Sequence, residues 1–189
     1  KMFKLLEQTR RYIDGVKIGI TSSMIPGIDV FKRAKEILGG KDLAVQLLSD
    51  YKVADIGFEK EKGEWTGTNA KIVRTLSQAG ADYITCHIIM GISSIEESIE
   101  TAHTHGSKVL TLPYMTGKGC ELVFGMPIGS EQRAHIRKVF ENYGLKPEEN
   151  QELYQIINRV SIVTELLLTL GNHFGVDGYI GPGNNPDIL

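Results

Sequence analysis

Short apolar runs alternate along this chain with longer segments whose apolar residues recur every three or four positions. The short runs predict buried strands and the longer segments predict amphipathic helices. Strands are expected near residues 15–20, 43–49, 83–88, 108–113 and 177–181. Helices are expected near residues 2–13, 28–38, 68–79, 93–105, 131–143 and 148–173. Because helices separate the strands, the connections must be crossovers, and the sheet should be parallel and covered by helices.

Glycine and charged residues mark the segments that this pattern leaves unassigned. Residues 57–67 are charged, punctuated by glycine and without periodicity, which predicts a mobile loop that could act as a lid. Residues 114–130 are irregular and contain several glycines. We interpret the chain as a single α/β domain over 1–189, with a loop insertion at 57–67 and an irregular and helical insertion at 117–173.

The composition is ordinary for a globular protein and excludes several classes of function. A net charge of −2 gives no electrostatic reason to expect binding to nucleic acid or to an anionic membrane. No apolar run approaches the ~20 residues that cross a bilayer. Cys86 and Cys120 lie outside any metal-ligand spacing, so we expect them to be reduced thiols in a cytoplasmic protein.

Ionic side chains accompany two of the predicted strands. Asp50 and Lys52 follow an apolar strand, and their spacing of two places them on one face of it. Asp55 comes just beyond, where the chain turns away, and Lys17 occupies the first strand. Partly buried ions cost desolvation free energy, so such a cluster is rarely kept without a function. We therefore predict that these four residues converge as an active site at the carboxyl ends of parallel strands.

The charge pattern of this cluster suits decarboxylation. An ammonium flanked by carboxylates stays protonated, which makes Lys52 a poor Schiff-base nucleophile but a competent proton donor. The neighbouring carboxylates stay ionised and would repel an anionic group of the substrate. If that group leaves as carbon dioxide, the lysine can stabilise and then protonate the carbanion that remains.

Two single residues and one repeated joint are also of interest. His87 ends a predicted strand, so it could approach the mouth of the site or a subunit interface, or be a satisfied interior histidine. Trp65 is expected to anchor packing rather than to stack on a base. The joints Gly80-Ala81-Asp82 and Gly175-Val176-Asp177 give two helix-to-strand connections the same form, Gly-x-Asp.

An ordered set of motifs surrounds the ionic cluster. The run Asp50-Tyr51-Lys52-Val53-Ala54-Asp55-Ile56 resembles the signature of orotidine 5'-phosphate decarboxylase, particularly its archaeal branch. The further matches, in chain order, are Tyr12-Ile13-Asp14-Gly15-Val16-Lys17-Ile18-Gly19, Thr68-Asn69-Ala70-Lys71-Ile72, Ala79-Gly80-Ala81-Asp82, His87, Tyr114-Met115-Thr116 and Tyr179-Ile180-Gly181-Pro182. The ordered set is more specific than any one of its members.

The resemblance implies a fold, a reaction and a role for each matched residue. The fold would be a homodimeric (β/α)8 barrel of the TIM type that converts orotidine 5'-phosphate to uridine 5'-phosphate in pyrimidine synthesis, without metal or organic cofactor. Lys52 would be the proton donor, and Asp50 would face the substrate carboxylate. Lys17 would bind Asp50 and the ribose hydroxyls.

The resemblance also implies that the active sites are shared between two subunits. Asp55 would complete the network in the site of the partner subunit, and Thr68 would likewise reach across the dimer. Thr116 would contact the pyrimidine ring. The first strand and the last two strands of such a barrel have no counterpart in this sequence, and neither do the ribose-binding aspartate and the phosphate-binding loop that those strands carry. We expect the sequence to be an excerpt of a longer protein.

Three alternatives stay open. The sheet could be an open, doubly wound one instead of a barrel. Hexulose-phosphate synthases and keto-gulonate-phosphate decarboxylases share the Asp-x-Lys-x-x-Asp strand and bind magnesium, but they resemble each other in carrying an acidic residue where this chain has Lys17. A cation at that position disfavours Mg²⁺. The chain could also be a truncated, non-catalytic barrel that serves as a binding or structural module.

Overall fold

The computed structural model describes residues 1–24, 26–39, 44–57, 60–115 and 117–181. Its helices are α1 Met2–Thr9, α2 Ile20–Ser23, α3 Asp29–Ile37, α4 Thr68–Gln78, α5 Ile92–Thr104, α6 Glu121–Phe124, α7 Ser130–Asn142, α8 Gln151–Ile157 and α9 Val163–Phe174. Its strands are β1 Gly15–Gly19, β2 Gln46–Val53, β3 Lys60–Glu61, β4 Glu64–Trp65, β5 Tyr83–Cys86, β6 Lys108–Thr111 and β7 Gly178–Tyr179. All five predicted strands are present.

The main sheet has the strand order β1-β2-β5-β6-β7. The pairs β1–β2, β2–β5 and β5–β6 are parallel, as the helical crossovers require. The helix-facing side of the sheet is closed by fully buried apolar residues, among them Leu47, Ile84 and Val109. The opposite side carries Lys17, Asp50 and the other polar residues of the candidate site. The sheet therefore separates the packed core from the face that carries the candidate site.

Two compact units make up the described chain. The first comprises Lys1–Thr111 and Val176–Gly178, and it contains the strands β1, β2, β5 and β6. The second comprises Leu112–Gly175 and the described residues after Gly178, and it contains α6 to α9. In the second unit the hydroxyl of Thr164 donates a buried hydrogen bond to the carbonyl of Phe124, which joins α9 to the end of α6.

The prediction of one long helix over 148–173 was wrong, because α8 ends at Ile157 and α9 begins at Val163. Ile162 is extended between them (φ −137°, ψ 163°) and forms an antiparallel bridge with Pro127. The side chain of Glu165 accepts hydrogen bonds from the backbone N–H and the hydroxyl of Ser161, which satisfies donors at the break. The sequence contains no glycine or proline at this point, so periodicity alone could not reveal the interruption.

The prediction of an irregular loop at 57–67 was also wrong for its second half. β3 and β4 form an antiparallel hairpin in which Lys60 faces Trp65. The two residues of its turn, Lys62 and Gly63, both have positive φ (52° and 86°), as a tight hairpin of the favoured hand requires. Trp65 is buried, as predicted, and its indole N–H donates to Oε2 of Glu100 on α5 (2.8 Å). Phe58 and Glu59 lie outside the described residues.

The helices of the described residues include no candidate for a membrane span. None of them combines the length and the apolar character that a bilayer span demands.

Candidate active site

Lys17, Asp50 and Lys52 come together on one face of the sheet, as predicted. Nζ of Lys52 lies 2.7 Å from Oδ1 of Asp50, and Nζ of Lys17 lies 3.2 Å from Oδ2 of the same carboxylate. The β1–β2 register explains the contact between Lys17 and Asp50. Lys17 pairs with Leu48, and Asp50 comes two residues after Leu48, so all three side chains lie on one face of the sheet. Each oxygen of Asp50 thus has its own ammonium partner.

Exposure differs sharply within this cluster. The side chain of Asp50 is only 14% exposed, whereas those of Lys17 and Lys52 are 59% and 40% exposed. The carboxylate therefore lies at the bottom of the cluster, and the two ammonium groups reach toward solvent. A bound anion could contact both lysines, but it would also meet the negative charge between them.

The charges around Asp50 decide its protonation state. Burial raises the pKa of Asp50, but hydrogen bonds from Lys52 and Lys17, together with their positive charges, outweigh burial and leave the pKa below its ordinary value. Asp50 is therefore ionised at neutral pH. An ionised carboxylate held between two ammonium groups is the arrangement that the sequence predicted.

Lys52 reaches Asp50 through an irregular backbone rather than through simple strand alternation. Its φ is +53°, in the left-handed region that residues with a Cβ rarely adopt. The register between β2 and β5 shifts between Ser49 and Val53. We call this irregular stretch of β2 around Lys52 the bulge. The buried side chain of Thr85 on β5 accepts a hydrogen bond from the backbone N–H of Lys52 (2.8 Å). The sequence spacing predicted the pairing of the two side chains but not this bulge.

Asp55 is the exception to the predicted convergence. Its Oδ1 accepts a hydrogen bond from the backbone N–H of Ile56 (2.8 Å), and within the described part of the chain no ion pair joins it to Lys17 or Lys52. The chain has already left β2 at this point, since the strand ends at Val53. A single chain thus assembles three of the four predicted residues.

Asn69 and Ser94 fix the backbone of Asp55. Oδ1 of Asn69 accepts from the Asp55 N–H (3.0 Å), and its Nδ2 donates to the Asp55 carbonyl (2.9 Å). The hydroxyl of Ser94 donates to the same carbonyl (2.8 Å). Gly57 allows the loop to pass this close to α5, because a Cβ there would lie 2.3 Å from the backbone nitrogen of Ser94. The first turns of α4 and α5 therefore position the loop that carries Asp55.

Of the two residues predicted to contact the substrate or the partner subunit, the structure describes Thr68 but not Thr116. Thr68 is the first residue of α4 and is exposed, next to the buried Asn69. It is therefore accessible to another molecule at the end of the sheet where Asp55 lies. Thr116 lies outside the described residues.

His87 follows β5 and lies at the same end of the sheet as Lys52. Burial lowers the pKa of His87, and the positive charge of Lys52 lowers it further. Its Nδ1 atom is buried and has no hydrogen-bond partner within the described residues. A position beside the site therefore fits His87 better than that of a satisfied interior histidine, while the subunit interface stays a prediction.

The sequence did not predict a role at the site for three residues: Asn69, Thr85 and Ser94. Asn69 was visible as part of the Thr-Asn motif at the start of α4, but its contact with Asp55 was not. A threonine within an apolar strand, such as Thr85, gives no signal, because threonine is common in strands. No group of three or more residues able to hold a metal ion occurs in the part of the chain that the structure describes.

Comparison with solved structures identifies the fold. A crystal structure of orotidine 5'-monophosphate decarboxylase from Methanocaldococcus jannaschii, complexed with the inhibitor BMP, matches with a TM-score of 0.53 and 19% identity. The match covers 94% of this chain and 80% of that one. The parallel α/β sheet is thus that of the (β/α)8 TIM-type fold, as predicted.

Sequence comparison identifies the family. The model of the orotidine 5'-phosphate decarboxylase / HUMPS family matches residues 1–137, and the chain belongs to this family. The orotidine 5'-phosphate decarboxylase of Methanosphaera stadtmanae is 30% identical over 121 residues, which are 64% of this chain and 50% of that protein. That of Methanosarcina mazei is 26% identical over 167 residues, covering 85% of this chain and 68% of the relative. The chain spans only half the length of the first of these relatives.

Proposed function

We propose that this protein decarboxylates orotidine 5'-phosphate to uridine 5'-phosphate, a step of pyrimidine synthesis. The observation that carries the proposal is the Asp50 carboxylate, largely buried and bonded to Lys17 on one oxygen and to Lys52 on the other. Proteins named for this reaction are among its relatives, and they include the two archaeal enzymes described above.

The proposed mechanism uses the charges of these three side chains. The substrate carboxylate would lie beside Asp50, where repulsion between the two anions favours loss of carbon dioxide. The carbon–carboxyl bond breaks, and its electron pair stays on the pyrimidine carbon. The ammonium of Lys52 stabilises that developing charge and then donates a proton to the carbon. The resulting amine regains a proton from water, and Lys17 keeps Asp50 ionised and contacts the ribose hydroxyls.

We further propose that two copies of the chain share their active sites. Asp55 and Thr68 lie at the same end of the sheet as the cluster, but Asp55 makes no ion pair with Lys17 or Lys52 of its own chain within the described residues. Exposed apolar side chains flank this region: Ile56 is 60% exposed, Ile89 42% and Met90 37%. Apolar groups beside a carboxylate that forms no ion pair within the described residues suit a two-fold contact in which each Asp55 enters the site of its partner.

The second candidate is a magnesium-dependent phosphosugar enzyme, such as a hexulose-phosphate synthase. The matching family model groups these HUMPS enzymes with the orotidine 5'-phosphate decarboxylases. Mg²⁺ is held by carboxylates and waters at about 2.0–2.1 Å. Here the carboxylate of Asp50 is already bonded to two ammonium groups, and Lys17 would place a positive charge beside the metal. The ion pairs therefore favour metal-free decarboxylation.

The proposal is tested by incubating the purified protein with orotidine 5'-phosphate in the presence of EDTA. We expect loss of absorbance as uridine 5'-phosphate forms, at the same rate with and without added Mg²⁺. Strict Mg²⁺ dependence, or turnover of hexulose or keto-gulonate phosphates instead, would contradict the assignment. A folded protein that binds uridine 5'-phosphate but turns over none of these substrates would indicate the non-catalytic alternative.

Mixed dimers test the shared sites. Lys52→Ala and Asp55→Asn should each be inactive alone, but a mixture that is dissociated and reassociated should recover activity. Random pairing gives one intact site in each mixed dimer, so roughly a quarter of the wild-type sites should return. Inactivity of the mixture, when native mass spectrometry shows that mixed dimers have formed, would show that Asp55 does not act across the interface.

A further inference from the structure

We propose that Thr85 is a positioning residue for the proton donor Lys52, an inference that rests on the proposed decarboxylase function. Thr85 lies on β5, next to β2, and its side chain is fully buried. The residue does not need to touch the substrate. Its hydroxyl acts on the backbone from which Lys52 projects.

The hydroxyl of Thr85 makes hydrogen bonds to two backbone groups of the bulge. It accepts a hydrogen bond from the backbone N–H of Lys52 (2.8 Å) and donates one to the backbone carbonyl of Ser49 (3.1 Å). In a regular parallel ladder these backbone groups would pair with backbone groups of the neighbouring strand. Ser49 still pairs with Ile84, but the register shift that follows leaves Lys52 without a pairing residue on β5, and its N–H bonds to the Thr85 hydroxyl instead.

The bulge sets the direction of the Lys52 side chain. At φ +53° the Cα–Cβ bond of Lys52 points differently from that of a residue in a regular strand, and this conformation is unfavourable unless neighbouring groups hold it. Ser49 pairs with Ile84, so the residues that follow, Asp50 and Thr85, lie on the same face of the sheet. The residue that holds the bulge is therefore next to the carboxylate that Lys52 must reach.

A hydroxyl is required because the contact uses donor and acceptor together. Valine has nearly the same shape as threonine but offers neither group, so Thr85→Val removes the acceptor of the Lys52 N–H and the donor to the Ser49 carbonyl. Serine keeps both groups and loses only a methyl. If Thr85 only fills space, valine should replace it well, whereas if it positions Lys52, serine should replace it better.

The experiment compares kcat and KM of the wild type, Thr85→Val and Thr85→Ser. The matched control is Thr111→Val, because Thr111 is also a buried strand threonine, but its hydroxyl has no partner in the described part of the chain. We expect Thr85→Val to lower kcat about 10- to 100-fold with KM little changed, since small displacements of a reacting group have effects of this size. Thr85→Ser should retain most of kcat, and Thr111→Val should match the wild type.

Hydrogen exchange of the Lys52 amide, followed by NMR, gives a readout that needs no substrate. The amide should be protected in the wild type and in Thr85→Ser, and it should exchange faster in Thr85→Val alone. Equal exchange in the wild type and Thr85→Val would overturn the proposal, as would equal kcat in Thr85→Val and Thr111→Val. If the wild type lacks decarboxylase activity, the proposed function fails, and the exchange result alone decides whether Thr85 holds Lys52.

Discussion

Asp82 and Asp177 make the same set of contacts at the start of two different strands. Oδ2 of Asp82 accepts from the backbone N–H of Leu47 (2.7 Å), and Oδ2 of Asp177 accepts from that of Val109 (2.8 Å). In each case the N–H of the aspartate also donates to the carbonyl of that same residue. The two Gly-x-Asp connections noted in the sequence therefore share one hydrogen-bond pattern. In each, the aspartate connects the start of its strand to the neighbouring strand, at the end of the sheet opposite the site.

A side-chain nitrogen from a preceding helix contacts the aspartate in each joint. Lys35 bonds to both oxygens of Asp82 (2.7 and 2.6 Å), and Nε2 of His103 lies 2.9 Å from Oδ2 of Asp177. We expect Asp82→Ala to lower the free energy of unfolding by about 2 kcal/mol, because the Leu47 N–H loses its partner. Asp82→Asn should cost less, since it keeps an acceptor oxygen.

Urea denaturation measures these changes, and Asp29→Ala is the matched control. Asp29 also faces a lysine, but its side chain is 79% exposed, and such pairs contribute little. Equal losses in Asp82→Ala and Asp29→Ala would show that the joint adds nothing beyond an ordinary surface ion pair.

Asn69→Ala should loosen the loop that carries Asp55. The substitution removes the acceptor of the Asp55 N–H and one donor to its carbonyl, both supplied by a fully buried side chain. We expect a loss of about 2–3 kcal/mol in the free energy of unfolding, since a buried backbone group is left without a partner. Gln78→Ala, an exposed position on the same helix, is the control and should be nearly neutral. A loss in Asn69→Ala no greater than in the control would contradict the role of the clamp.

Glu100→Ala should detach the β3–β4 hairpin from α5. Glu100 accepts from the indole N–H of Trp65 (2.8 Å) and pairs with Lys60 (2.6 Å), so one carboxylate holds both strands of the hairpin. Trp65 is the only tryptophan of the chain, which makes its fluorescence specific for this contact. Emission should shift to longer wavelength in Glu100→Ala, less in Glu100→Gln, and not at all in Glu61→Ala. Unchanged emission in Glu100→Ala would mean that other contacts hold the hairpin.

His87 should make stability fall on acidification. Burial and the charge of Lys52 lower its pKa below the ordinary 6.5, so the unfolded chain binds a proton more readily than the folded chain. The stabilisation is complete above pH 6.5 and is lost as pH falls through the lower pKa of the folded state. NMR titration of the His87 ring measures that pKa, and His87→Gln should flatten the pH dependence of unfolding. A titration midpoint at or above 6.5 would refute this expectation.

Periodicity and turn residues sufficed to predict the five strands and most helices, because those signals are local. The Gly-x-Asp joints and the Asp50–Lys52 pair were likewise visible as short spacings. What the sequence could not reveal depends on distant partners. The break between α8 and α9 arises from the bridge between Ile162 and Pro127, and the hairpin is held by Glu100 on a helix that follows much later.

At the site, too, local spacing predicted some features, whereas features that depend on distant residues were not predicted. Strand alternation correctly placed Asp50 and Lys52 on one face, although the backbone between them is not a regular strand. The bulge depends on Thr85, whose hydroxyl has no signature in the sequence around it. The position of Asp55 outside the cluster follows from the end of β2 at Val53, which spacing alone did not resolve.

The most direct test of the central claim is the turnover of orotidine 5'-phosphate by Lys52→Ala, measured beside the wild type and Lys60→Ala. Lys60 is a lysine of the hairpin, away from the cluster, and its substitution should leave kcat unchanged. With the fold confirmed by circular dichroism, we predict that Lys52→Ala lowers kcat by about a thousandfold or more, because the proton donor is lost. A kcat of Lys52→Ala equal to that of the wild type would contradict the proposed role of Lys52 as the proton donor.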